Sequence, residues 1–163
     1  NADQEVAKLY QKDKKIFNRL KKKLPKYIHS FPVQKKEISN AILSNKNNLI
    51  KIVKIVHLEI RRKMNIFLKK YKKSKIIILD IPLLLENKIN NKEDILVYVQ
   101  SNKFKVLERL KKRKNFNKIL LAKFKSIQLS SDYKKRKSDY IIKNNFTKKS
   151  VKNAIESILK KII

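Results

Sequence analysis

An acid near the amino terminus and two arginines far along the chain are the residues best equipped for chemistry. Asp3 stands at the head of an amphipathic stretch, where a carboxylate can cap a helix by accepting backbone N–H bonds. Arg109 and Arg113 lie four apart, a spacing that puts both on one face of a helix. The 44 basic residues are overwhelmingly lysine. A retained arginine therefore marks a place where a planar fork of donors matters more than charge alone, and that fork suits phosphate. Arg61 stands out for the same reason. The run Ile76-Ile77-Ile78-Leu79 ends in Asp80 and continues as Pro82-Leu83-Leu84-Leu85-Glu86. An apolar run closed by an acid is how buried strands of nucleotide-binding α/β domains often end.

Composition narrows the field. The chain has 163 residues, the size of one domain, and 42% are hydrophobic, enough for a core. The formal net charge is +31, which normally points to a polyanion and makes a small basic nucleic-acid-binding protein one reading. The lysines are dispersed among many Ile and Asn, however, the look of a compositional bias that solvates surfaces. Glycine is absent where roughly eleven would be usual, so Asn, Lys or Ser are expected to stand in for it. A phosphate-cradling loop is one place where glycine is hard to replace. With no cysteine and only His29 and His57, neither disulfides nor a thiolate metal site can form, and no metal-ligating residue is assigned. No apolar run has the length of a membrane span and no signal peptide opens the chain, so the expectation is a cytoplasmic protein.

The elements that must position these residues follow from periodicity. Helix is expected over 2–20, a basic loop over 21–32, a short helix over 35–44 and a long one over 49–71. The last carries Leu49, Val53, Val56, Ile60, Met64, Phe67 and Tyr71 at steps of three and four. The period then changes. Runs 76–81, 95–99 and 140–142 read as buried parallel strands. Helices are expected over 103–112, 117–128 and 150–163, the last with Ser150 as N-cap. The alternation implies an α/β fold with a parallel sheet in three layers and a helical insertion ahead of it.

Further residues join this frame in a recognisable order: Asn1-Ala2-Asp3, Val33-Gln34-Lys35, His57-Leu58-Glu59-Ile60-Arg61, Pro82-Leu83-Leu84-x-Glu86, Arg109 with Arg113, and Gln128, Lys134 and Ser138-Asp139 through Asn144. From Asn1 to about Phe146 this order resembles that of the dephospho-CoA kinases, a P-loop kinase family. The resemblance implies Asp3 as catalytic carboxylate, with Asn1 replacing the first acid of an Asp-Ala-Asp motif, and Arg109 and Arg113 as catalytic lid arginines. Lys35, His57, Arg61, Pro82, Leu83 and Glu86 would meet the acceptor, and Lys134 and Asn144 the nucleotide. Phe146 stands where the family has glycine, and Phe124 where a lid arginine is often found. Asp80 fits the strand-ending acid that helps hold Mg²⁺.

The function so implied is transfer of phosphate from ATP, with Mg²⁺, to the ribose 3′-hydroxyl of dephospho-CoA by a monomer with no specific nucleic-acid or membrane partner. Another P-loop nucleotide kinase is a neighbouring reading. A single kinase domain is expected over 1–163: acceptor-gripping helices at about 4–74, core at 75–102 and 138–163, lid at about 103–137. The Gly-x-x-x-x-Gly-Lys-Ser/Thr loop is absent. The expectation is an amino-terminal truncation that removes it together with the first strand, leaving these residues unable to catalyse alone.

Overall fold

The computed structural model describes residues 1–163. Its elements are α1 (Ala2–Lys12), α2 (Lys14–Lys23), α3 (Lys35–Ser44), α4 (Lys46–Lys70), β1 (Val97–Ser101), α5 (Lys103–Lys111), α6 (Lys118–Lys125), α7 (Ser131–Arg136), β2 (Tyr140–Asn144) and α8 (Lys148–Ile162). The protein is α/β, with one small parallel sheet of β1 beside β2. The chain forms two compact units, Asn1–Leu84 with Ile119–Ser126, and Leu85–Lys118 with Ile127–Ile163.

The first unit is helical and holds a dry core. Leu9, Ile16, Leu20, Ile28, Ile42 and Leu49 are fully buried, joined by Ile52, Val56 and Ile60 along α4. Steps of three and four put these α4 residues on one stripe, as the periodicity predicts. That stripe does not continue to the helix end. Phe67 and Tyr71 are exposed and stack on each other, 4.7 Å between ring centroids. The single helix expected over 2–20 is two helices. Asp13 is extended, and its carboxylate accepts the N–H groups of Lys15 and Ile16 at 2.9 and 3.0 Å. Capping a new helix outweighs continuing the old one, because Asp is a good N-cap and a poor helix-interior residue. The loop after α2 is tied down by Glu37, whose carboxylate accepts N–H bonds from His29, Ser30 and Gln34 at 2.9, 3.0 and 3.1 Å. At the other end of α3, Lys123 donates to the carbonyl of Leu43 at 3.0 Å, satisfying one of the carbonyls a helix end leaves open.

The strand expected over 76–81 is absent. A strand exists through hydrogen bonds to a neighbour, and this run joins no ladder. Ile78 is 81% exposed. The parallel sheet is thus a pair of strands rather than three.

The second unit holds that pair. Val97 lies opposite Tyr140 and Ser101 opposite Asn144, so β1 begins two residues later than expected. Asp139 accounts for the shift. Its carboxylate accepts the Leu96 N–H at 2.7 Å while the Leu96 carbonyl accepts the N–H groups of Asp139 and Tyr140. α8 packs on β2 and Ile142 is buried, while Val97, Val99 and Ile141 are about half exposed. The N-cap of α8 is Thr147, not Ser150, which donates its own N–H to the Thr147 hydroxyl. α6 stops at Lys125, and α7, capped by Ser130, was not legible as a helix among its lysines.

Candidate active site

In the first unit Asn1, two residues ahead of Asp3, is bonded to a second acid, Asp80. Asn1 caps α1 by accepting the Gln4 N–H at 3.2 Å, and its side-chain amide donates to the Asp80 carboxylate at 2.5 Å. The Ala2 N–H donates to the Asp80 carbonyl at 2.9 Å. The cap is therefore Asn1. Asp3 sits in the first turn, exposed and without an ion pair. The pairing also rationalises Asn1 itself: an amide can donate to Asp80 where a second carboxylate would repel it.

Two exposed carboxylates are oxygen donors of the kind a hard cation takes. No cluster of three or more ligating side chains surrounds them. That set suits Mg²⁺, which binds through one or two carboxylates and takes its other ligands from water and substrate phosphate.

His57 and Arg61 are one turn apart on α4 and so share a face, His57 half-buried and Arg61 exposed. Lys35 is the first residue of α3 and exposed. Pro82 is exposed and Leu83 has φ 59. With no glycine in the chain, left-handed backbone falls on Leu83, Lys88 and Phe146, at a cost of about 1–2 kcal/mol each. Only Lys88 is of a type expected to stand in. Phe124 lies on α6 and is 38% exposed.

In the second unit Glu86 meets Lys134 at 2.6 Å and accepts the Leu129 N–H at 3.0 Å. Its side chain is 8% exposed. Burial pushes the carboxyl up, but the Lys134 ammonium and the backbone N–H groups outweigh it, so it stays below the ordinary carboxylate range. The residue expected at the acceptor and the one expected at the nucleotide are thus ion-pair partners. This was not legible from positions 48 apart.

Arg109 and Asn144 both line one cavity of about 640 Å³, together with Phe146, Thr147, Lys148 and Lys152. The size suits a nucleotide-like ligand. The Arg109 guanidinium lies over the Phe146 ring, 4.6 Å from its centroid. Asn144 turns its side-chain carbonyl to the Phe146 N–H at 2.8 Å. Arg113 does not share a helix face with Arg109. α5 ends at Lys111 and Arg113 lies on the following turn, ahead of Asn115 and Asn117, poor helix formers that compete for backbone groups. The two lysines on α8 are the functional candidates that sequence pattern hid, since they look like any other pair in so basic a chain.

The family model for dephospho-CoA kinase matches residues 1–150. A dephospho-CoA kinase of Wolbachia pipientis is 30% identical over 161 residues, covering 98% of this chain and 82% of the relative. That of Bartonella henselae is 29% identical over 98% of this chain and 80% of its own. One from Bacillus cereus is 31% identical over 127 residues, 77% of this chain and 64% of the relative. The chain belongs to the dephospho-CoA kinase family.

Proposed function

We propose that this protein is a phosphotransferase that moves the γ-phosphoryl group of ATP to the 3′-hydroxyl of dephospho-CoA, the last step of coenzyme A synthesis. The observation that carries the reading is the match over 161 residues to named dephospho-CoA kinases. Phosphoryl transfer needs positioning and charge neutralisation more than covalent help. Asp3 orients the ribose hydroxyl. The hydroxyl oxygen bonds to the γ-phosphorus as the bond to the β–γ bridging oxygen breaks, ADP leaves, and Asp3 takes the hydroxyl proton. Arg109, with Arg113, meets the negative charge spreading over the transferring group. Lys35, His57 and Arg61 grip the acceptor from the helical part at about 4–74, and residues 103–137 serve as lid. Asp80 would be the carboxylate available to hold Mg²⁺ bound with ATP, which would supply neutralisation of phosphate charge.

The parallel pair β1–β2 is read as part of a three-layer P-loop kinase sheet. A monomeric cytoplasmic enzyme fits small soluble substrates, and no helix is long and apolar enough to cross a membrane. The test is direct. The full-length protein is given ATP and dephospho-CoA, and the phosphate on the ribose 3′-oxygen is read by phosphorus NMR; no product overturns the reading. Because no glycine loop is present, the 163 residues by themselves are expected to bind ATP only weakly, and tight binding in calorimetry would refute that part alone.

A further inference from the structure

Arg109 makes no ion pair; an aromatic ring holds it instead. That ring belongs to a residue in a conformation it does not favour. Phe146 has φ 68, in the left-handed region where glycine rests without strain and a bulky side chain does not. Asn144 pins it there by accepting its N–H at 2.8 Å, and the following Thr147 begins the cap of α8. The strained backbone delivers the Phe146 ring beneath the Arg109 guanidinium at cation–π distance, 4.6 Å. Both residues line the cavity that also carries Lys148 and Lys152.

We propose that Phe146 is a positioning residue for Arg109, fixing the guanidinium plane at the cavity wall before the nucleotide arrives. The proposal rests on the kinase reading. Stacking uses the face of the guanidinium and phosphate binding uses its N–H edge, so both can be satisfied at once. An unheld arginine on an exposed helix surrenders its rotamer freedom only when it binds. A stacked one has done so already, and affinity rises accordingly.

The experiment is an interaction cycle in the full-length protein, with ATP affinity measured by calorimetry and KM and kcat by steady-state assay. Phe146→Leu keeps bulk and loses the π face. It should weaken ATP binding about three- to tenfold, the cost of ordering one long side chain on binding, while KM for dephospho-CoA stays put. Phe146→Trp should stay within about twofold of the parent. In an Arg109→Met background, Phe146→Leu should have no further effect. Phe146→Gly should raise the melting temperature and yet weaken ATP binding, opposite signs that a merely structural role does not produce. Equal losses from Phe146→Leu with and without Arg109, or a leucine as good as phenylalanine, overturn the clamp. If ATP binding follows the cycle but dephospho-CoA is not phosphorylated, the acceptor assignment falls and the clamp stands.

Discussion

The two units place their apolar residues in opposite ways. In the first, Leu9, Ile16, Leu20, Ile28, Ala41, Ile42 and Leu49 are nearly or wholly removed from water, and α4 adds Ile52, Val56 and Ile60. In the second, Ile142 is the buried residue, while Phe104 is 71%, Val99 54% and Ile155 42% exposed. Helices bury one stripe against one another and need nothing else. A parallel sheet needs cover on both faces, and β1 and β2 have one helix, α8, packed on β2. Stability therefore concentrates in the first unit. The second has the few buried contacts that make local opening cheap, and it also carries Arg109, Lys134, Lys148 and Lys152, the cations suited to phosphate.

This contrast would be too simple if the first unit were only a scaffold, and Asp3 tests that. Asp3→Asn leaves the cap at Asn1 intact and removes an exposed carboxylate without an ion pair. The stability loss should stay within about 1 kcal/mol, the dipole contribution of one acid in a first turn. Turnover of dephospho-CoA should fall by about 10²–10⁴, the usual contribution of a positioned general base, with KM little changed. Steady-state kinetics beside a thermal melt separate the two effects, and unchanged turnover removes Asp3 from the chemistry.

Core substitutions sharpen the contrast itself. Leu20, fully buried, should cost about 2–5 kcal/mol when truncated to alanine. Ile155→Ala, on the exposed side of α8, should cost less than about 1 kcal/mol, because nearly half of its surface already faces water. Urea midpoints decide it, and equal losses would mean that the second unit is as tightly packed as the first.

How much of this was legible in the sequence divides along the same line. The 3.6-residue stripe of α4 could be read directly as far as Ile60, because helical amphipathicity is local; the shared helix face expected of Arg109 and Arg113 could not, because α5 ends at Lys111. Asp13 could have been read as a cap, since Asp ahead of a basic amphipathic turn is a start signal; its place inside an otherwise periodic run hid it. The run Ile76–Ile81 shows the opposite case. It has every residue a buried strand requires, but a strand is a relation between two segments, and no neighbour pairs with it. The left-handed position Leu83 was illegible because glycine, the usual marker, is missing from the whole chain, and Phe146 was marked only by resemblance, as the residue standing where the family has glycine. At the site, Arg109 with Asn144 could be anticipated only by resemblance. The Glu86–Lys134 pair and the ring under Arg109 depend on tertiary placement.

Two carboxylates play one role in the two units. Glu37 gathers three backbone N–H groups; Glu86 holds Lys134 and one N–H. For both, burial pushes the carboxyl up, and hydrogen bonds reverse that to a net lowering. A lowered folded-state pKa means that the stabilisation is complete above the unfolded carboxylate range, about 4.3, and is lost as pH falls through the folded value. Glu37→Gln should cost about 1–2 kcal/mol at neutral pH, since charge-assisted bonds to backbone are replaced by neutral ones. Glu86→Gln should cost about 1 kcal/mol or less, because the Lys134 side chain, 22% exposed, can turn to water. Each variant should flatten the acid limb of stability against pH, read from urea midpoints, and the difference from the parent should vanish at low pH. Hydrogen exchange separates the units. Glu86→Gln should speed exchange at Leu129 and leave the amides of Ile16 and Leu20 unchanged, because an opening confined to the second unit does not expose the first core. If both sets of amides accelerate together, the two units unfold as one, and the contrast between them describes packing but not stability.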